Sequence, residues 1–148
     1  MNDIKVMNHA ADNIRILAAS MVEKANSGHP GGAMGGSDFI NVLFSEYLVY
    51  DPADPTWTGR DRFFLDPGHM SPMLYAGLAL RGFFSMEDLK QFRQWGSVTP
   101  GHPELDLERG TGVGTIIAGV WFIADYGTMG INYIFTGEAK GISDIYLI

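Results

Sequence analysis

From Ile14 the apolar positions fall at Ile14, Leu17, Ala18, Met21, Val22 and Ala25. That i, i+3, i+4, i+7 spacing predicts a helix with one buried face, ending at Gly28 ahead of Pro30. A second helix is expected from Ser37 to Leu48, with Ile40, Leu43, Phe44 and Tyr47 as its stripe and Ser37 as its N-cap. Two prolines between Asp51 and Gly59 break regular structure. Arg62 to Leu65 reads as a short buried strand closed by Asp66, Pro67 and Gly68. A helix is expected over Ser71 to Gly82, with Pro72 in its first turn, where a missing N–H costs nothing. Ser85 to Asp88 has the form of a capping box opening a helix that runs to Trp95.

The character changes towards the C-terminus. Positions 110–139 hold no lysine or arginine, and glycine recurs at 110, 112, 114, 119, 127, 130 and 137. We expect helix from Ile116 to Tyr126, a strand from Asn132 to Phe135, and a turn at Gly137 and Glu138. Another helix is expected to open within Ile142 to Ile148. Helices alternating with short buried strands predict an α/β layered fold with a mainly parallel sheet and few strands.

Composition narrows the function. The 148 residues suit a single domain, and 46% hydrophobic with 18% charged residues is ordinary for a globular chain. A net charge of −7 argues against nucleic acid or an anionic membrane as the main partner. The absence of cysteine removes thiolate catalysis and disulfides. The apolar run from Val113 to Ala124 is too short for a bilayer, and no secretory signal is seen, so the cytoplasm is the expected location.

Chemistry concentrates in the 19 glycines and 4 histidines, because three of the histidines follow glycine: Gly28-His29-Pro30, Gly68-His69-Met70 and Gly101-His102-Pro103. Glycine admits close approach of a ligand and proline stiffens the loop, which leaves an imidazole at a defined position. Such a ring donates to phosphate or hydroxyl oxygens and exchanges protons near neutral pH. Spacings of 40 and 33 residues leave a three-histidine zinc site open. The glycines from Gly28 to Gly36, leading into the second helix, read as a loop suited to an anion. No P-loop, dinucleotide fingerprint or nucleophile elbow is present.

Three segments carry a family resemblance: Lys24-Ala25-Asn26-Ser27-Gly28-His29-Pro30-Gly31-Gly32, Arg62-Phe63-Phe64-Leu65-Asp66-Pro67-Gly68-His69, and Thr99-Pro100-Gly101-His102-Pro103-Glu104. In order and spacing they resemble the N-terminal part of transketolase, over about two-thirds of the chain. The resemblance implies a partial thiamine-diphosphate-binding fold, as one incomplete domain over 1–148. It implies transfer of a two-carbon ketol unit between sugar phosphates. In that family His29 would lie over the thiazolium and touch substrate, His69 would contact the diphosphate, and His102 would meet substrate hydroxyls.

Beyond Gly110 the chain departs from the family pattern. Gly112 and Val113 stand where backbone lines the cofactor pocket, Glu138 where an aspartate binds Mg²⁺ or Ca²⁺, and Ala139 where a glycine follows it. The missing domains imply that the chain alone lacks full activity, and that a homodimer or a partner chain supplies the rest. The competing expectations are the N-terminal subunit of a split enzyme, and a remnant or interaction module that keeps the fold without the chemistry. The related 1-deoxyxylulose-5-phosphate synthase and dihydroxyacetone synthase share parts of these loops, but Thr99-Pro100-Gly101-His102-Pro103 favours transketolase.

Overall fold

The computed structural model describes residues 2–65, 68–103 and 145–147. The expected glycine-rich segment at 110–114, the helix over 116–126, the strand over 132–135, and Gly112, Val113, Glu138 and Ala139 lie outside the described residues, as do Asp66 and Pro67. The chain forms two compact units, one of residues 1–48 with 69–102 and one of residues 49–68 with 103–148.

In the first unit, α1 runs from Ile4 to Ala25 and begins ten residues before the apolar stripe. The Asp3 carboxylate caps it by accepting from the Lys5 amide at 2.7 Å. Ile4 and Val6 face water, so the first turns present no apolar periodicity to read. Ala11, Ile14, Ala18 and Met21 form the buried face, whereas Leu17, Val22 and Ala25 are half-buried. The helix ends at Asn26, which takes the left-handed conformation and returns its amide to the Glu23 and Val22 carbonyls.

The glycine-rich segment is helical from Pro30 to Gly35, with only Gly28, His29 and Gly36 outside the helices, which corrects its expectation as a loop suited to an anion. Pro30–Gly35 is α2, with proline in its first turn, and Ser37–Val42 is α3. A Cβ built on Gly32 would lie 2.9 Å from Met70 Cγ, and one on Gly36 would lie 2.6 Å from Met73 Sδ. These glycines therefore serve helix packing against two methionines. Ser37 is not an N-cap: it is fully buried and its hydroxyl donates to the Ala33 carbonyl at 2.9 Å.

The second half of the expected helix over 37–48 is a π-helical turn, Leu43–Tyr47. Its cause is visible in Arg81, whose Nη2 donates to the Asn41 carbonyl at 3.1 Å and to Ser45 Oγ at 2.8 Å. That carbonyl is the acceptor a regular α-helix would offer to residue 45, and an inserted side chain widens the turn.

Helix α4, Ser71–Ala79, is buried along its whole length and packs against α1, α2, α3 and α5. Being apolar on every face, it is a core helix, and each fully buried Leu or Met contributes about 1.5–3 kcal/mol. Helix α5, Met86–Lys90, has the expected capping box, with the Asp88 amide donating to Ser85 Oγ and the Ser85 amide to Asp88 Oδ2. It stops five residues short of Trp95 because Arg93 sits at φ 62°, outside the helical region.

In the second unit, aspartates order the proline-containing turn: the Ala53 and Thr56 amides donate to the Asp51 and Asp54 carboxylates. Strand β1, Arg62–Phe64, pairs in parallel with β2, Ile145–Leu147, with Phe63 opposite Tyr146. The second strand corrects the helix expected within 142–148. An Ile-Tyr-Leu run suits a strand, and its backbone partner lies some eighty residues earlier, beyond the reach of local pattern. This pair makes up all the sheet among the described residues.

Two substitutions test these roles by urea unfolding. Ile14→Ala, at a fully buried site, is expected to cost about 2–5 kcal/mol. Ser85→Ala is expected to cost about 1 kcal/mol through loss of the cap.

Candidate functional site

Three of the four histidines come together in the first unit, each placed by a different local device. His29 precedes α2 as its N-cap, with φ −128° and ψ 102°, but its side chain makes no capping bond. Gly28 before it has φ +128°, a conformation that an L side chain rarely adopts. His69 sits in a 3₁₀ turn, Gly68–Met70, that leads directly into the buried α4. The His29 and His69 rings lie 4.9 Å apart, centre to centre, tilted by 58°.

His102 ends a loop that is tied down at each carbonyl. Tyr75 Oη donates to the Pro100 carbonyl at 2.9 Å, and Ser71 Oγ donates to the Gly101 carbonyl at 2.6 Å. Thr99, fully buried, donates its hydroxyl to the Asp88 carbonyl at 2.8 Å and accepts the Arg93 amide at 3.0 Å through its own carbonyl. The segment that begins α4 thus carries His69 and also anchors the loop of His102. Buried hydroxyl-to-carbonyl bonds of this kind are costly to leave unmade, which fixes the loop.

The electrostatics are one-sided. Partial desolvation pushes the His102 imidazole below its ordinary value, and the charges of Arg93, His69 and His29 push in the same direction. His102 thus lies near Arg93, His69 and His29, although its own surface is exposed. A locally positive cluster suits phosphate oxygens and hydroxyls within a chain whose net charge is −7.

The structure thus brings together His29, His69 and His102, the residues singled out from their glycine neighbours. Among the described residues, no group of three His, Asp or Glu side chains is arranged to hold a metal ion, so the three-histidine zinc site finds no support. Sequence reasoning missed Ser71, Tyr75 and Arg93. Ser71 and Tyr75 follow His69 closely in the chain, yet they read only as helix residues because their partners lie 30 and 25 residues away.

Residues 6–125 match the family described as "Transketolase, thiamine diphosphate binding domain". The chloroplastic transketolase of Arabidopsis thaliana is 51% identical over 104 residues, which is 69% of this chain and 14% of that protein. The crystal structure of Campylobacter jejuni transketolase superposes with a TM-score of 0.67 at 46% identity, covering 76% of this chain and 17% of that one. A transketolase variant from Pichia stipitis, in complex with fructose 6-phosphate, gives 0.68 at 36% identity over 96% of this chain and 22% of that one. This chain therefore spans a small part of the length of its relatives, 14% of the Arabidopsis protein. Among the described residues no helix is long and apolar enough to cross a membrane. All three clustered histidines fall inside the matched residues, and the chain belongs to the transketolase family through its thiamine-diphosphate-binding domain.

Proposed function

We propose that this chain supplies the thiamine-diphosphate-binding half of a ketol-transferring site, acting on sugar phosphates as a cytoplasmic enzyme. The observation that carries the reading is the convergence of His29, His69 and His102 beside Arg93, a cluster rich in donors and positive charge. The same chemistry fits a diphosphate, and the described residues fit the cofactor to that extent. When bound, thiamine diphosphate supplies the electron sink that lets a carbon–carbon bond next to a carbonyl break.

The protein's part is orientation and proton handling. His69, in its turn ahead of α4, would donate a ring N–H to a diphosphate oxygen. His29, beside it, would face the reacting carbon and hold a substrate hydroxyl. His102, whose proton affinity its surroundings lower, would accept or return a hydroxyl proton at a ring nitrogen. Gly112, Val113 and Ala139 are proposed to line the cofactor by resemblance, and Glu138 to hold Mg²⁺ or Ca²⁺. Because the chain spans 14% of the Arabidopsis relative, ketol transfer is proposed for an assembly in which a homodimer or partner chain supplies the remaining domains.

Calorimetry with thiamine diphosphate and Mg²⁺ tests the binding half of this proposal. His69→Ala is expected to weaken uptake by roughly tenfold or more, the worth of one hydrogen bond to a charged group. Equal affinity for the two proteins would show that the diphosphate does not rest on His69.

The lowered proton affinity of His102 gives a second test. As pH falls, the unfolded chain takes up a proton at this position before the folded chain does. Its contribution to stability is therefore full above the ordinary histidine value and is lost as pH falls from there to the folded-state value. His102→Gln should flatten the stability profile in that acidic window and leave it unchanged above neutrality. Denaturant titrations at a series of pH values measure this directly, and a profile that keeps its slope would assign the effect to another group.

A further inference from the structure

The two glycines that precede His29 and His102 face the same guanidinium. A Cβ built on Gly101 would lie 2.8 Å from Arg93 Nε and 3.1 Å from Nη2. One built on Gly28 would lie 3.4 Å from Arg93 Nη1, besides 3.3 Å from Val22 Cγ2. At Gly101 a side chain and the guanidinium cannot share the space unless Arg93 moves. We propose that Arg93 is a positioning residue, its guanidinium set between the Gly28-His29 and Gly101-His102 loops so that the two imidazoles keep one spacing.

Three independent features meet in this residue. Its backbone is left-handed at φ 62°, a conformation that is uncommon outside glycine and that ends α5 early. Its amide is spent on the Thr99 carbonyl at 3.0 Å, which clamps the start of the His102 loop. Its side chain is the arm that reaches from this clamp to both glycines. A planar, permanently charged fork suits such a place, because it is rigid and its charge does not titrate. The charge is felt as well: Arg93 acts on His102 in the same direction as His69 and His29 do. The glycine-histidine pairs thus acquire a second cause. Gly101 leaves room for Arg93, not only for a ligand.

This inference rests on the proposed function in one respect, that His29 and His102 serve one ligand. Its test needs no ligand, so the two fail separately. In the full chain labelled with ¹⁵N-histidine, NMR titration follows the midpoint of His102 and the ring signals of His29. Arg93→Gly relieves the left-handed backbone while removing the guanidinium. It is expected to keep or raise the melting temperature, to move the His102 midpoint part of the way up to the ordinary histidine value, and to shift the His29 signals. Gly101→Ala is expected to raise the midpoint in the same sense by displacing the guanidinium, and to add nothing in the Arg93→Gly background. Unmoved His29 and His102 signals in Arg93→Gly would overturn the proposal. So would a Gly101→Ala effect that persists in full once Arg93 is gone. Should Arg93→Gly fail to fold cooperatively, Gly101→Ala alone decides by the same readout.

Discussion

Helix α4 has no face turned to water, and that constraint organises the first unit. A helix of nine buried residues must be covered on all sides, and α1, α2, α3 and α5 supply the cover. Close packing then sets further requirements. Gly32 and Gly36 make room for Met70 and Met73, and Arg81 at the far end of the helix reaches back to Asn41 and Ser45 and opens a π turn. The same burial fixes the polar groups of its first turn. Ser71 and Tyr75 cannot reach water and spend their hydroxyls on the carbonyls of residues 100 and 101. The position of the histidine cluster follows from these bonds.

The cluster joins packing to chemistry. His69 enters at the start of α4, His29 at the start of α2, and His102 at the end of the loop that α4 and α5 hold. Imidazoles from three separate segments are thus placed by the elements that carry them. Partial burial first, and the neighbouring Arg93, His69 and His29 after it, lower the proton affinity of His102. Family membership and local electrostatics thus lead to the same kind of ligand by separate routes.

Much of the candidate site was legible because its signal is local. Each histidine stands beside a glycine, in a short segment that the family shares, and no knowledge of distant partners was needed to select it. The capping box at Ser85 and the strand at Arg62 were legible for the same reason. The errors lie where a distant partner decided the outcome. Gly32 and Gly36 looked like loop residues because glycine is a poor helix former, and only Met70 and Met73 explain why glycine stands within α2 and at its junction with α3. Ile145–Leu147 was expected in a helix and is a strand because β1 pairs with it. The first turns of α1 were missed because they expose Ile4 and Val6 and so carry no stripe.

By itself, then, the sequence determined the buried face of α1 from Ile14 onward, the capping box at Ser85 and the identity of the three histidines, since propensity, capping and turn chemistry act over a few residues. Tertiary structure alone decided that these histidines meet, that the His102 loop hangs on Ser71 and Tyr75, and that Arg93 stands between two glycines. Those facts depend on contacts between residues tens of positions apart, formed when burial of α4 brings their segments together.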